Sequence, residues 1–354
     1  MTMSVDDAYS RGDYATAFRL ARQLADRGDA AGQYNLGVMY TKGHGVSQDY
    51  GEALKWFHLA ADQEYASAHY HLGVMYANGQ GVPQNDAEAL KWLRLAADQG
   101  DPLAQCNLGD IYADGQGVPQ DYDEALKWYR LAADRGDATA QSKLGIMYAK
   151  GKGIQQHDAE ALRLLRRAAD QGHADAQTHL GIRYHQGHGV PQDYSEALKW
   201  YRLAADQGDA LAQSNLGVIY AKGEGVPQDD TAAVRWRGLA ADQGDADAQC
   251  NLGLMYHNGQ GVPQDDAEAL KWLSLAADQS NADAQCNLGL MYADGWGVPK
   301  DIVRALMWFN LSAAQGNQEA ATKRKDVAPL TTRAQIAEAQ KLAREWKPTK
   351  QPPR

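Results

Sequence analysis

The chain has 354 residues, with 35 basic against 45 acidic and a net charge of −10; its mean hydropathy is −0.58. That length exceeds the ~150 residues usual for one domain and suggests two domains or one elongated array. The acidic balance argues against a surface that tracks nucleic-acid phosphates, and no run approaches the ~18 consecutive apolar residues of a membrane helix.

The start, Met1 to Asp7, lacks the basic and apolar regions of a secretory signal. The chain as it stands therefore reads as cytoplasmic, or as secreted or periplasmic if a leader has been removed. Residues 1–28 read as N-terminal capping helices. Asp13 to Gly28 keep the register of Asp49 to Glu64, 36 residues later, but lack a full-length partner helix before them.

From residue 29 to residue 316 the chain is eight copies of one 36-residue unit. Leu-Gly opens at Leu36, Leu72, Leu108, Leu144, Leu180, Leu216, Leu252 and Leu288, with a Tyr four residues on and a Gly seven on. Trp follows at twenty in every unit but one, where Leu164 stands instead. No insertion breaks the register.

Each unit predicts two helices, as the third shows. Asp101 is placed to cap the first, Pro102 suits its first turn, and Ala104, Leu108 and Tyr112 form one apolar stripe. Gly115 ends it as a left-handed residue. Asp121-x-x-Glu124 predicts a capping box on the second helix, with Ala125, Trp128, Ala132 and Ala133 turned inward and Gly136 beyond the end. Gly109 and the alanines let helices approach closely, and Trp128 is expected to fill the remaining space. The fourth unit has His157 at the cap, which predicts a weaker start. The sixth has Ala232 for the Glu and Gly238 inside the helix, the latter costing about 1 kcal/mol.

A hairpin this short cannot bury enough apolar area alone, so neighbours must cover its faces. The predicted fold is all-α: an α-solenoid superhelix of stacked antiparallel helix hairpins. After Gly316 the pattern fails, with Arg324 where Leu-Gly is due. Residues 317–346 read as C-terminal capping helices, the last capped by Thr331 or Thr332 and carrying Ile336, Ala339, Leu342, Ala343 and Trp346 on one face. Residues 347–354, KPTKQPPR, read as a disordered tail. Residues 322–354 hold nine basic against three acidic residues, net +6, which leaves −16 on residues 1–321. That asymmetry admits end-to-end self-association through the basic tail, or a merely solubilising role.

The unit A-x-x-LG-x-x-Y-x-x-G-x-GVPQD-x-x-EALKW-x-x-LAAxQG resembles the Sel-one-like repeat, a relative of the tetratricopeptide repeat, over residues 29–316. The resemblance implies a non-enzymatic adaptor that brings proteins together. It also implies that the first helix of each hairpin lines an inner, concave wall. Positions on that helix outside its packing stripe vary while the frame stays fixed, as expected of a surface free of packing duty.

These positions give the candidate partner-binding residues. Two before the Leu stand Tyr34 and Tyr70, with Cys106, Cys250 and Cys286 in later units. One before it stand Asn35, Asn107, Asn215, Asn251 and Asn287. This row either holds the backbone of an extended ligand or only sets repeat stacking. Two after, Asp110 interrupts a run of aliphatic residues, Val38 to Leu290, that reads as inter-repeat core more than as groove floor. Five and six after stand Asp114, Lys150, His185, Lys222, His257, Asn258 and Asp294. Hairpins advancing about 9–10 Å each would make a groove of roughly 70–90 Å, suited to a peptide, helix or protein partner rather than a small metabolite.

Other chemistry finds little footing. His173, His179, His185 and His188, and His69 with His71, lack the i, i+4 spacing and acidic third ligand of a helical metal site. Three cysteines form no framework, and Cys250 and Cys286, one unit apart, are too distant to bridge. No cofactor motif is present. Two alternatives stay open: a cell-wall or β-lactam hydrolase, for which neither Ser-x-x-Lys nor Gly-x-Ser-x-Gly is found, and a regulatory subunit controlling a bound enzyme.

Overall fold

A computed structural model of the protein describes residues 4–348; the tail residues 349–354 lie outside them. The described chain holds twenty α-helices, one short 3₁₀ turn and no strands. It divides into two compact units, residues 1–173 and 174–354. The first contains α1 (Val5–Ser10), α2 (Tyr14–Ala25), α3 (Ala30–Lys42), α4 (Tyr50–Ala61), α5 (Ala66–Asn78), α6 (Asp86–Asp98), α7 (Pro102–Asp114), α8 (Tyr122–Asp134), α9 (Ala138–Lys150) and α10 (Asp158–Asp170). The second contains α11 (Ala174–Gln186), α12 (Tyr194–Ala205), α13 (Ala210–Lys222), α14 (Asp230–Asp242), α15 (Ala246–Asn258), α16 (Asp266–Asp278), α17 (Ala282–Asp294), α18 (Ile302–Ala314), α19 (Gln318–Val327) and α20 (Arg333–Glu345). Within each unit consecutive helices pair as hairpins, and each first helix also packs on the second helix of the hairpin before it.

The helix ends follow the repeat. The Asp101 carboxylate accepts the Ala104 N–H at 2.8 Å, Pro102 opens α7, and Gly115 closes it at φ 71°. The capping box on the second helices is only half made. Asp121 accepts the N–H groups of Asp123 and Glu124, but Glu124 turns away to pair with Lys127 at 3.3 Å. Lys127 in turn lies over the Trp128 ring, 5.4 Å from its centroid. Glu88 with Lys91 and Glu268 with Lys271 repeat this arrangement. The cap N–H that Glu124 would accept is already given to the Tyr112 carbonyl at 2.8 Å, as those of Asn85 and Asp265 are to Tyr76 and Tyr256, so the Glu is free to take the side-chain cation. The expected loss at the fourth unit is also made good, because His157 Nδ1 accepts the Glu160 N–H at 3.2 Å.

The glycine of Leu-Gly is a contact point. A Cβ on Gly109 would stand 2.4 Å from the Tyr129 ring, and one on Gly289 2.4 Å from Phe309. The residue that fills the space over the glycine is therefore the one after the tryptophan: Phe57, Leu93, Tyr129, Leu165, Tyr201, Leu273 or Phe309, with Arg237 in the sixth unit. This corrects the sequence expectation for Trp128. Its ring instead joins Leu93, Ala96 and Ala97 of α6 and Ala104 and Leu108 of α7, closing the junction between hairpins.

A buried amide ladder runs through each unit. Three residues before each Leu, a Gln on the first helix donates to an alanine carbonyl of the preceding hairpin, as Gln249 does to Ala241 at 3.0 Å and Gln285 to Ala277 at 3.2 Å. The same Gln accepts from a second Gln just past its own hairpin's second helix: Gln279 to Gln249 and Gln315 to Gln285, each 2.8 Å. Each bond contributes about 1 kcal/mol net, and an orphaned member would cost more. In the first unit the ladder is interrupted. His69 replaces one Gln, and Arg135 stands where Gln105 needs a donor, leaving Gln105 Oε1 and His69 Nδ1 buried without a partner.

Candidate functional site

In the second unit the variable stripe opens a groove of about 660 Å³, lined by the first helices α13, α15, α17 and α19 and by Asn281 and Asn317 at their N-caps. Ser214, Asn215 and Val218 of α13 line it, followed by Asp247, Cys250, Asn251 and Leu254 of α15 and by Asp283, Cys286 and Asn287 of α17. Glu319 of α19 closes the row. The structure thus brings Asn215, Asn251 and Asn287 together in one trough, along with the positions five, two and one before the Leu.

The amides are held in a common pose. Asn215 donates to the Leu211 carbonyl at 2.9 Å, Asn251 to that of Asp247 at 2.8 Å and Asn287 to that of Asp283 at 2.9 Å, each one turn back along its own helix. None of these three bonds ties two helices, although Asn287 also hydrogen-bonds to Cys250 of the preceding first helix. Val218 and Leu254 are half-buried and form groove floor, whereas the core side is taken by the next residue, Ile219 or Met255. The run expected as inter-repeat core therefore contributes to the groove.

The rim is acidic. Asp247, Asp283 and Glu319 stand at equivalent places on consecutive first helices, and the lining contains no Lys, Arg or His. Asp247 accepts from the Asn281 amide at 2.7 Å and Asp283 from Asn317 at 2.8 Å, so each aspartate is oriented by a neutral group. The thiols beneath are free and buried. Burial pushes Cys250 up to about 12 and Cys286 up to about 11, which keeps both protonated.

The first unit treats the same stripe differently. Tyr34 tilts against Tyr65 and His71, at 5.1 and 5.5 Å between centroids, and His71 stacks on Phe57 at 5.0 Å. Tyr34 and Asn35 line a hollow of about 190 Å³ with Tyr9 and Lys42. Tyr70 hydrogen-bonds to Asn107. Asp110, Asp114 and Lys150 share a separate pocket of about 200 Å³ with Lys143, Lys152, Tyr122 and Tyr129. There Asp110 accepts from Tyr129 Oη at 2.6 Å and from Lys143 Nζ at 2.7 Å. Burial opposes the charge on Lys143, but the Asp110 carboxylate outweighs it and holds the ammonium above the usual lysine value. Burial and the bond to Asp110 push the Tyr129 phenol well up, so it stays a donor.

The positions five and six after the Leu do not join the Asn row. His185 Nε2 meets Glu224 of the following hairpin at 2.7 Å, and Lys222 lies 3.7 Å from the same carboxylate. His257 meets Asp266 at 2.6 Å and lies against the Trp296 ring at 4.5 Å. Asn258 and Asp294 are exposed at the helix ends. What the sequence reading missed is the Gln ladder, whose signal was a Gln fixed three before the Leu and a second in the LAAxQG segment. Among the described residues, no three His, Cys, Asp or Glu side chains are placed to share a metal ion, and no helix is long and apolar enough to cross a membrane.

Hairpins stacked through a buried frame, with one stripe of first-helix residues left open, define a helical repeat protein. The chain belongs to the Sel1 repeat family, whose repeat it matches at residues 7–29, 30–65, 66–101, 102–137, 138–173, 174–209, 210–245, 246–281 and 282–317. The partial first match takes in the capping segment before residue 29. The fold is similar to a Sel1 repeat protein from Oxalobacter formigenes, 37% identical over 87% of this chain and 90% of that one, with a TM-score of 0.64. It is also similar to c5321, a protective antigen of uropathogenic Escherichia coli with an SLR fold, 30% identical over 97% and 91%, with a TM-score of 0.50. The immunity protein Pa5087 from Pseudomonas aeruginosa, 22% identical over 62% of this chain and 82% of that one at a TM-score of 0.41, is more distant. Among curated proteins no match was found.

Proposed function

We propose that the chain is a non-enzymatic scaffold that holds an extended segment of a protein partner along α13, α15, α17 and α19. The observation that carries this reading is the trough itself. Asn215 and Asn251 are presented at one repeat interval, each using one N–H on its own helix and keeping its carbonyl oxygen and second N–H for a ligand. An extended backbone offers alternating donors and acceptors to such a row, and the half-buried Val218 and Leu254 offer its side chains an apolar floor. Three hairpin steps of about 9–10 Å give the trough a length of about 30 Å, near nine extended residues. Raised thiol values at Cys250 and Cys286 count against nucleophilic chemistry there, because the thiolate is the reactive form.

The test is affinity capture of partners from the native organism, followed by binding measurements on the purified pair. Asn215→Ala combined with Asn251→Ala is expected to weaken the partner about tenfold or more, with helicity and melting unchanged. Unchanged affinity would remove the groove assignment.

A further inference from the structure

The acidic rim narrows the choice of occupant. Asp247, Asp283 and Glu319 recur every 36 residues on successive first helices. With hairpins advancing about 9–10 Å, they form a carboxylate row of that pitch. A chain in the polyproline II conformation rises 3.1 Å per residue with three residues per turn, so every third side chain returns to the same face after about 9.3 Å. The two repeats match. A proline-rich segment with cations three or four residues apart would meet one carboxylate and one asparagine per turn.

Such a segment occurs in this chain. Residues 347–354 read Lys-Pro-Thr-Lys-Gln-Pro-Pro-Arg, with three cations at Lys347, Lys350 and Arg354, three prolines and no acid. The groove lining carries three carboxylates and no cation. Building on the groove reading above, we infer that this trough receives the basic, proline-rich segment 347–354 of a second copy, so that copies associate head to tail.

A second copy is favoured over the chain's own tail by reach. Helix α20 packs on α18, a second helix, and Trp346 just beyond it lies edge-on to Trp308 of α18 at 6.0 Å. The trough is built on first helices, one helix layer away, which adds about 8–10 Å, and Asp247 lies two hairpins back from Glu319, about 18–20 Å further. Lys347, Lys350 and Arg354 stand one, four and eight residues past Trp346, so at full extension they reach about 3–4, 14 and 28 Å. Lys347 falls short even of Glu319, so the chain's own segment cannot place all three cations on the row at once, whereas a neighbour's segment is free to enter along it. The surfaces that meet are different on the two copies, so association propagates beyond a pair unless the rotation closes a ring.

The experiment uses the full chain at low salt. Labelled KPTKQPPR and the charge-reversed EPTEQPPE are titrated by fluorescence anisotropy, and the chain alone is followed by sedimentation velocity over a range of concentrations. Expected are binding of the basic peptide only, at least tenfold weaker binding to the Asp247→Asn, Asp283→Asn, Glu319→Gln variant with an unchanged circular dichroism spectrum, and self-association that grows with concentration. Self-association should vanish in that variant and in a Lys347→Glu, Lys350→Glu, Arg354→Glu variant. Mixing the two should restore a one-to-one pair and nothing larger. Equal binding of KPTKQPPR by the neutralised variant, or a chain that stays monomeric and ignores the peptide, overturns the inference. So does a monomeric chain whose tail variant alone takes up the peptide, since the groove is then filled from within. A partner that still depends on Asn215 and Asn251 while KPTKQPPR does not bind leaves the groove reading standing and removes the tail.

Discussion

The two units are built on one frame and spend it differently. In the second, every buried Gln from Gln177 to Gln285 accepts from the Gln closing its own hairpin, the stripe carries Asn three times running, and the result is an open trough of about 660 Å³. In the first, the equivalent stripe is crossed by Tyr34 on His71 and by the Asp110, Lys143 and Tyr129 cluster, beside which lie hollows of about 190 and 200 Å³. The frame fixes the hairpin, while the stripe decides whether neighbouring first helices are bridged by side chains or left apart.

The largest effect is expected at the frame. Gly109→Ala drives a Cβ to 2.4 Å from the buried Tyr129 ring and should cost about 2–3 kcal/mol in denaturant unfolding. Gly217→Ala in the second unit meets Arg237 Cγ at 2.5 Å, part of a side chain that can swing aside, and should cost about 1 kcal/mol or less. Equal losses would show that both glycines face rigid contacts. A smaller effect concerns the stripe. Asp110→Val takes the acceptor from Tyr129 and Lys143 and should cost about 2 kcal/mol. Adding Lys143→Asn gives the pattern seen in the second unit and should recover part of that loss, which a double-mutant cycle measures. Smallest is Arg135→Gln, which offers Gln105 the donor it lacks and should raise stability by about 1 kcal/mol. No gain in melting temperature would mean that the orphaned oxygen is already satisfied by water.

Much of this architecture can be read without coordinates, because a 36-residue period applied to Leu, Gly and Tyr admits few packings. The helix ends follow from Asp, Pro and Gly at fixed places, and the stripe follows as what the period leaves unused. Three features were not legible. Glu124 has two candidate partners at equal sequence separation, the Asp121 N–H and Lys127, and the first is taken by the Tyr112 carbonyl of the other helix, a contact only the folded hairpin makes. Trp128 and Tyr129 are adjacent large rings, and which of them covers Gly109 depends on how the hairpins cross. The candidate residues were found as a set but not as a site. Asn215, Asn251 and Asn287 meet in one trough, whereas His185 and His257 bind loop and helix-start carboxylates, because residues at a helix end point toward the next turn and not along the stripe.

The glutamine ladder sets a rule for how such an array can grow. In the second unit each first-helix Gln donates to an alanine carbonyl of the preceding hairpin, so one whole 36-residue module there can be spliced out or duplicated and the severed amides find identical partners across the seam. A cut that is not a whole number of modules strands a buried amide and throws the hairpin at the seam out of register. Length is thus quantised, and the trough can be lengthened or shortened only by whole pairs of helices.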